Sequence, residues 1–127
     1  MRSGPVTGID HVQVAAPPGC EQRARAFYGG LLGLPEIEKP EMLATRGGCW
    51  FACGEQQLHV GVSDPFTAAA KAHPALAVRD VEALEGMLAE LAAAGCETRR
   101  DVELPGLARG FVDDPFGNRI ELVAPLA

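Results

Sequence analysis

No apolar run in the 127-residue sequence approaches the roughly 20 residues that a membrane span requires. The opening stretch, Met1 to Gly8, has no apolar core of the kind a secretory leader carries. A soluble, cytoplasmic protein is the expectation. A basic block is also missing: 11 Lys and Arg stand against 17 Asp and Glu, a formal charge of −6. Nucleic-acid backbones and anionic membrane surfaces both reward a concentrated basic face, so neither is expected as a partner. The four cysteines, Cys20, Cys49, Cys53 and Cys96, include no CxxC pair and lie among apolar neighbours. They read as free, mostly buried thiols rather than disulfides or a zinc knuckle. With no low-complexity tail either, the length suits one domain with its own core.

Histidine is scarce, and its placement is the most informative feature present. His11 and His73 are 62 positions apart, and so are His59 and Glu121. Gly33 and Gly95, which follow the two best helical stretches, repeat the same offset. Within each half the spacing is again constant, 48 positions from His11 to His59 and from His73 to Glu121. The chain therefore reads as a duplicated unit, with module one at about 6–62, a connector at 63–72 and module two at about 73–125.

Each half predicts the order β-α-β-β-β, an α+β architecture. Residues 9–14 alternate as a half-buried strand, and Ala24, Phe27, Tyr28 and Leu31 form one apolar helical stripe. Extended segments are expected near 42–46, 49–53 and 57–62. In the second half a strand is expected over 73–78. Asp80 is positioned to N-cap a helix with Val81, Leu84, Leu88 and Leu91 inward, and Gly95 to stop it. Strands near 98–102, 109–113 and 119–123 complete the repeat, the last two joined by the turn sequence Asp114-Pro115-Phe116-Gly117-Asn118. Glu82, Glu85 and Glu90 read as the solvated face of the second helix.

His11, His59, His73 and Glu121 all fall on the strand phase opposite the aliphatic residues, so they are expected to face a shared polar concavity. A lone strand histidine is more often a packed or surface residue than a ligand. The joint pattern is what points to a metal. Three imidazoles and one carboxylate suit Zn, Ni, Co or Fe better than Mg or Ca. One divalent metal ion per site with two open positions would hold two substrate oxygens and act as a Lewis acid. Gln13 and Gln57 share strand faces with His11 and His59, and together with Arg109 and Phe111 they are the expected substrate contacts. Arg109 and Arg119 each read first as a solvated or paired structural residue. Trp50 is expected in the core or an interface rather than as a stacking platform.

Ile9-Asp10-His11-Val12, Ala26-Phe27-Tyr28, Leu31-Leu32-Gly33-Leu34 and the closing Asp114-Pro115-Phe116-Gly117-Asn118-Arg119-Ile120-Glu121 resemble the vicinal oxygen chelate superfamily. That superfamily comprises glyoxalases, bleomycin resistance proteins and extradiol dioxygenases. The resemblance covers nearly the whole chain. It implies paired βαβββ modules with curled mixed sheets around a metal, often across a homodimer interface, and a small-molecule substrate such as a metabolite or antibiotic. The ligand positions it implies match His11, His59, His73 and Glu121. Similarity to glyoxalase I implies lyase or isomerase chemistry through a metal-stabilised enediolate, with Glu121 as the catalytic proton carrier. His59 stands where bacterial glyoxalase I has glutamate, leaving one anionic ligand and a formal +1 on an M²⁺ site. The alternatives implied are an extradiol-type Fe(II) dioxygenase with His11, His73 and Glu121 as the iron triad, a thiol transferase of the fosfomycin-resistance kind, which needs a cationic phosphonate pocket for which Arg109 and Arg119 are the only candidates, or a metal-free drug binder of the bleomycin-resistance kind.

Overall fold

Residues 4–126 are described in the computed structural model; residues 1–3, part of the opening stretch considered above, and residue 127 lie outside the described residues. Two four-stranded mixed sheets carry the architecture. The first has the order β1-β4-β3-β2, with β1 at His11–Ala16, β2 at Glu36–Ile37, β3 at Cys49–Cys53 and β4 at Gln56–Val62. The second has the order β5-β8-β7-β6, with β5 at Ala75–Ala77, β6 at Thr98–Arg100, β7 at Leu107–Asp113 and β8 at Arg119–Pro125. In each sheet the first and last strands of the unit run parallel and the other neighbours antiparallel. The expected α+β repeat is therefore present.

Strand alternation decides which face of each sheet packs. Val14, Val60, Leu58 and Phe51 point one way from the first sheet, and Val112, Ile120 and Leu122 from the second, all into one buried cluster. Helix α1 (Glu21–Ala24) continues as a π-helical stretch over Arg25–Leu31 and inserts Ala24, Phe27 and Tyr28. Helix α2 (Val81–Ala93) inserts Leu84, Leu88 and Leu91. Each buried leucine contributes about 1.5–3 kcal/mol of hydrophobic free energy. Asp80 caps α2 as expected, accepting from the Ala83 amide at 2.8 Å. Gly33 and Gly95 both take positive φ, +75° and +93°, at the ends of the two helical stretches. That conformation ends a helix at little cost only for glycine, which accounts for their equal offset in the sequence.

Two local expectations change. Residues 42–46 are not extended; Glu41–Arg46 forms a 3-10 helix, begun by Pro40, whose carbonyl accepts from Leu43 N at 2.9 Å. Thr45 is the only β-branched residue there, so the segment has little strand propensity. The strand of that position is the short Glu36–Ile37, held as an edge against Phe51 and Trp50. His73 precedes its strand instead of starting it, and the Pro74 carbonyl accepts from Glu121 N at 3.0 Å. Among the cysteines, Cys20 and Cys49 are buried and Cys53 and Cys96 half-buried, all free. No helix among the described residues is long and apolar enough to cross a membrane.

The closing turn proves to be a buried clasp. Asp114 Oδ1 accepts from the amides of Phe116 and Asn118 at 2.9 and 2.8 Å, while Oδ2 accepts from Tyr28 Oη at 2.6 Å and Asn118 Nδ2 at 2.9 Å. Asn118 then reaches both the first unit and the connector: Nδ2 donates to Ala15 O at 2.8 Å and Oδ1 accepts from Ala69 N at 3.0 Å. Burial, followed by the Asp114 charge, pushes the Tyr28 hydroxyl far above its ordinary range, so it serves only as a donor. The motif thus binds helix, connector and β1 at the start of the strand that carries Glu121.

Candidate metal centre

Opposite the core, each sheet carries one pair of the four singled-out residues. On the first, the parallel register sets His11 beside Gln57 and Gln13 beside His59, so these four share a face. Trp50 is the antiparallel partner of His59 and joins them. The result is a three-ring stack: His59 lies between His11, at 4.2 Å and 19°, and Trp50, at 3.8 Å and 3°. Trp50 is half-buried and packs one ring face on His59. A cross-strand aromatic opposite a histidine was the signal that could have placed it there.

Hydrogen bonds fix the two rings differently. His11 Nδ1 lies 2.9 Å from Asp10 Oδ1 and donates to it, so Nε2 is the ring nitrogen turned away from that carboxylate. A carboxylate behind a histidine is the usual outer support of a metal ligand. His59 is buried, and its Nε2 is 2.8 Å from Gln57 Oε1. Burial first, and then the neighbouring His11, hold the His59 imidazole below its usual range, so the ring is neutral and Nε2 donates to Gln57. Its remaining lone pair is on Nδ1.

The second sheet holds the other pair at contact distance. His73 Nδ1 faces the carbonyls of Lys71 and Ala70 at 2.9 and 3.1 Å, so it carries a proton. His73 Nε2 then points at Glu121 Oε1, 3.0 Å away. Two lone pairs repel at that distance unless a cation stands between them, either a second ring proton or a metal ion. Two adjacent ligands at right angles, each about 2.1 Å from one ion, would be about 3.0 Å apart. The spacing and the anchored tautomer both fit a divalent cation. Glu121 Oε2 is held in turn by Arg109 Nε at 3.2 Å, and Arg109 lies 3.8 Å from Asp101.

Phe111, expected as a substrate contact, is only 3% exposed. It lies beneath His73, whose ring meets it edge-on at 5.6 Å, and beneath the guanidinium groups around it. Gln13 is exposed and lines a cavity of about 420 Å³ together with His73, Pro74 and Arg119. Within one chain the four singled-out residues form two pairs. Among the described residues no three His, Cys, Asp or Glu side chains are grouped closely enough to hold a metal.

A family model described as the Glyoxalase/Bleomycin resistance protein/Dioxygenase superfamily matches residues 8–122. Among solved structures, a glyoxalase family protein from Bacillus anthracis is 50% identical, with 98% of this chain and 99% of that chain covered and a TM-score of 0.89. Lactoylglutathione lyase from Agrobacterium tumefaciens is 18% identical, covering 95% and 96%, with a TM-score of 0.74. A mutant of the fosfomycin resistance protein from Listeria monocytogenes, complexed with Mn(II) and a dihydroxypropylphosphonic acid, is 15% identical, covering 94% and 93%, with a TM-score of 0.77. The last two show likeness of fold. No curated protein matches the chain at a significant level.

Proposed function

The chain belongs to the glyoxalase, bleomycin resistance protein and dioxygenase superfamily, and from that premise we propose that it is a divalent-metal-dependent enzyme acting on a small oxygen-rich molecule. The reaction proposed is proton transfer at a carbon beside a carbonyl, the isomerase and lyase chemistry of glyoxalase I. The observation carrying this reading is the His73 Nε2 to Glu121 Oε1 contact of 3.0 Å with Nδ1 anchored on backbone carbonyls. It gives two ligands aimed at one point. His11 and His59 supply the remaining two, from a second copy of the chain, in a homodimer that unites each first-sheet pair with its partner's second-sheet pair.

When bound, a cation such as Zn, Ni, Co or Fe supplies a Lewis acid that stabilises negative charge developing on a substrate oxygen. Glu121 takes the carbon-bound proton and returns it at the neighbouring carbon. Its burial and the Arg109 contact hold the carboxylate in one orientation, as a general base requires. Gln13 and Gln57, on the His11 face, donate hydrogen bonds to the substrate's oxygens and fix which carbon faces Glu121.

Elemental analysis of protein purified without chelator or histidine tag tests the metal. Deuterium exchange from solvent into α-hydroxycarbonyl compounds then tests the chemistry. Stoichiometric metal with exchange that depends on it is expected; protein that takes up none of the four ions would refute the reading. One observation favours a second reading. His59 is neutral, sandwiched and hydrogen-bonded to Gln57, which suits an acid/base beside an Fe(II) triad of His11, His73 and Glu121. Oxygen uptake by anaerobically Fe(II)-loaded protein with a catechol would select this dioxygenase chemistry.

A further inference from the structure

The first-sheet histidines are stacked, and stacking restricts what two imidazoles can share. The acceptor lone pair of an imidazole lies in the plane of its own ring. His11 and His59 lie face to face, with centroids 4.2 Å apart and planes inclined by only 19°. A point beside one ring and in its plane is therefore well off the plane of the other. The two rings cannot aim lone pairs at one ion as they stand, so one of them must turn before both can serve the centre proposed above.

The surroundings of each ring decide which one turns. Trp50 covers the second face of His59 at 3.8 Å and 3°, and Gln57 Oε1 accepts from Nε2 at 2.8 Å. His59 is also only 4% exposed. Strand geometry sets these contacts: Trp50 is the antiparallel neighbour of His59, and Gln57 precedes it by two residues on the same face of β4. His11 is far less constrained. Its side chain is 44% exposed, it stacks on His59 alone, and its hydrogen bond goes to Asp10, whose side chain is 95% exposed. Turning His11 gives up one stacking contact, whereas turning His59 gives up two and a buried hydrogen bond as well.

We infer that Trp50 and Gln57 are positioning residues that lock the His59 ring with its proton on Nε2 and Nδ1 as the coordinating nitrogen, and that His11 is the ring that leaves the stack when metal binds. The inference rests on the metal-enzyme reading. A ligand histidine commonly donates its other ring N–H to a fixed oxygen, which sets both tautomer and ring orientation. Backbone carbonyls do this for His73; a side-chain amide does it for His59. Gln57 uses its carbonyl oxygen for the task, so its amide group can still donate to a substrate.

Nitrogen-15 spectra of the imidazoles in metal-free and Zn(II)-loaded protein test the lock, with the three histidines assigned by single substitutions. His59 should keep its Nε2 proton in both states while its Nδ1 resonance shifts on loading. His11 should lose the ring-current shifts of the stack. Trp50→Leu and Gln57→Leu should each weaken Zn(II) binding about tenfold to a hundredfold in dye competition, and Trp50→Phe, which keeps an aromatic face, should recover most of the loss. Residues that only support the fold would lower the urea midpoint and leave Zn(II) affinity unchanged. Three results would each overturn the inference: loss of the His59 Nε2 proton on loading, His59 resonances unmoved by bound Zn(II), or wild-type affinity in both leucine variants. The metal-enzyme reading survives all three, the second with His59 outside the ligand set. Protein that takes up none of Zn, Ni, Co or Fe refutes that reading itself, and this inference with it.

Discussion

Glu121→Ala is expected to lower divalent-metal affinity by at least about a hundredfold, because loss of a direct ligand should exceed the effect of losing an outer support. His73→Ala should do the same, since the two atoms concerned are 3.0 Å apart and aimed at one point. Stability should fall by less than about 2 kcal/mol in either variant. The His73 and Glu121 side chains are 20% and 11% exposed, so water can reach the groups left behind. Arg109 keeps Asp101 as a neighbour when Glu121 is removed. Metal titration followed by dye competition, with urea unfolding of the same samples, separates the two quantities. Unchanged metal affinity in both variants would remove the second-sheet pair from the site.

Asp114→Ala should have the opposite signature, a large loss of stability. The carboxylate accepts four hydrogen bonds, from Tyr28, Phe116 and both the amide and side chain of Asn118. Tyr28 and Asn118 are essentially inaccessible, at 0% and 2% exposed, so water cannot replace what they lose. Leaving several buried donors unsatisfied costs about 3–5 kcal/mol in total. Asp114→Asn keeps an acceptor oxygen and should cost about 1–3 kcal/mol. Urea unfolding measures both. Equal, small effects would mean that the turn holds β8 in place without the carboxylate.

This contrast between a clasp and a centre was only partly legible in the sequence. The offset of 62 and the strand phase put His11, His59 and Glu121 opposite Val14, Val60 and Ile120, which is how the sheets carry them. Alternation is a local property, and local periodicity suffices to read it. The role of Asp114 depends on Tyr28, 86 positions away, and no periodicity connects them. Arg99 went unnoticed because its place beside Phe111 follows from the register of β6 on β7. A three-residue strand bounded by charged residues gives too little pattern to fix that register. Glu36–Ile37 was missed for the same reason, being two residues held by pairing with β3 rather than by their own propensity. Which ligand pair meets which is a question of how sheets associate, and spacing along one chain cannot answer it.

Mixing two complementary double variants answers it directly. His11→Ala/His59→Ala keeps the second-sheet pair, and His73→Ala/Glu121→Ala keeps the first; neither alone should bind a divalent ion tightly. Exchanging subunits between them by mild denaturation and refolding should restore tight binding at one of the two sites in each mixed dimer. Metal uptake by wild-type protein with no recovery at any mixing ratio would contradict a centre shared between two copies.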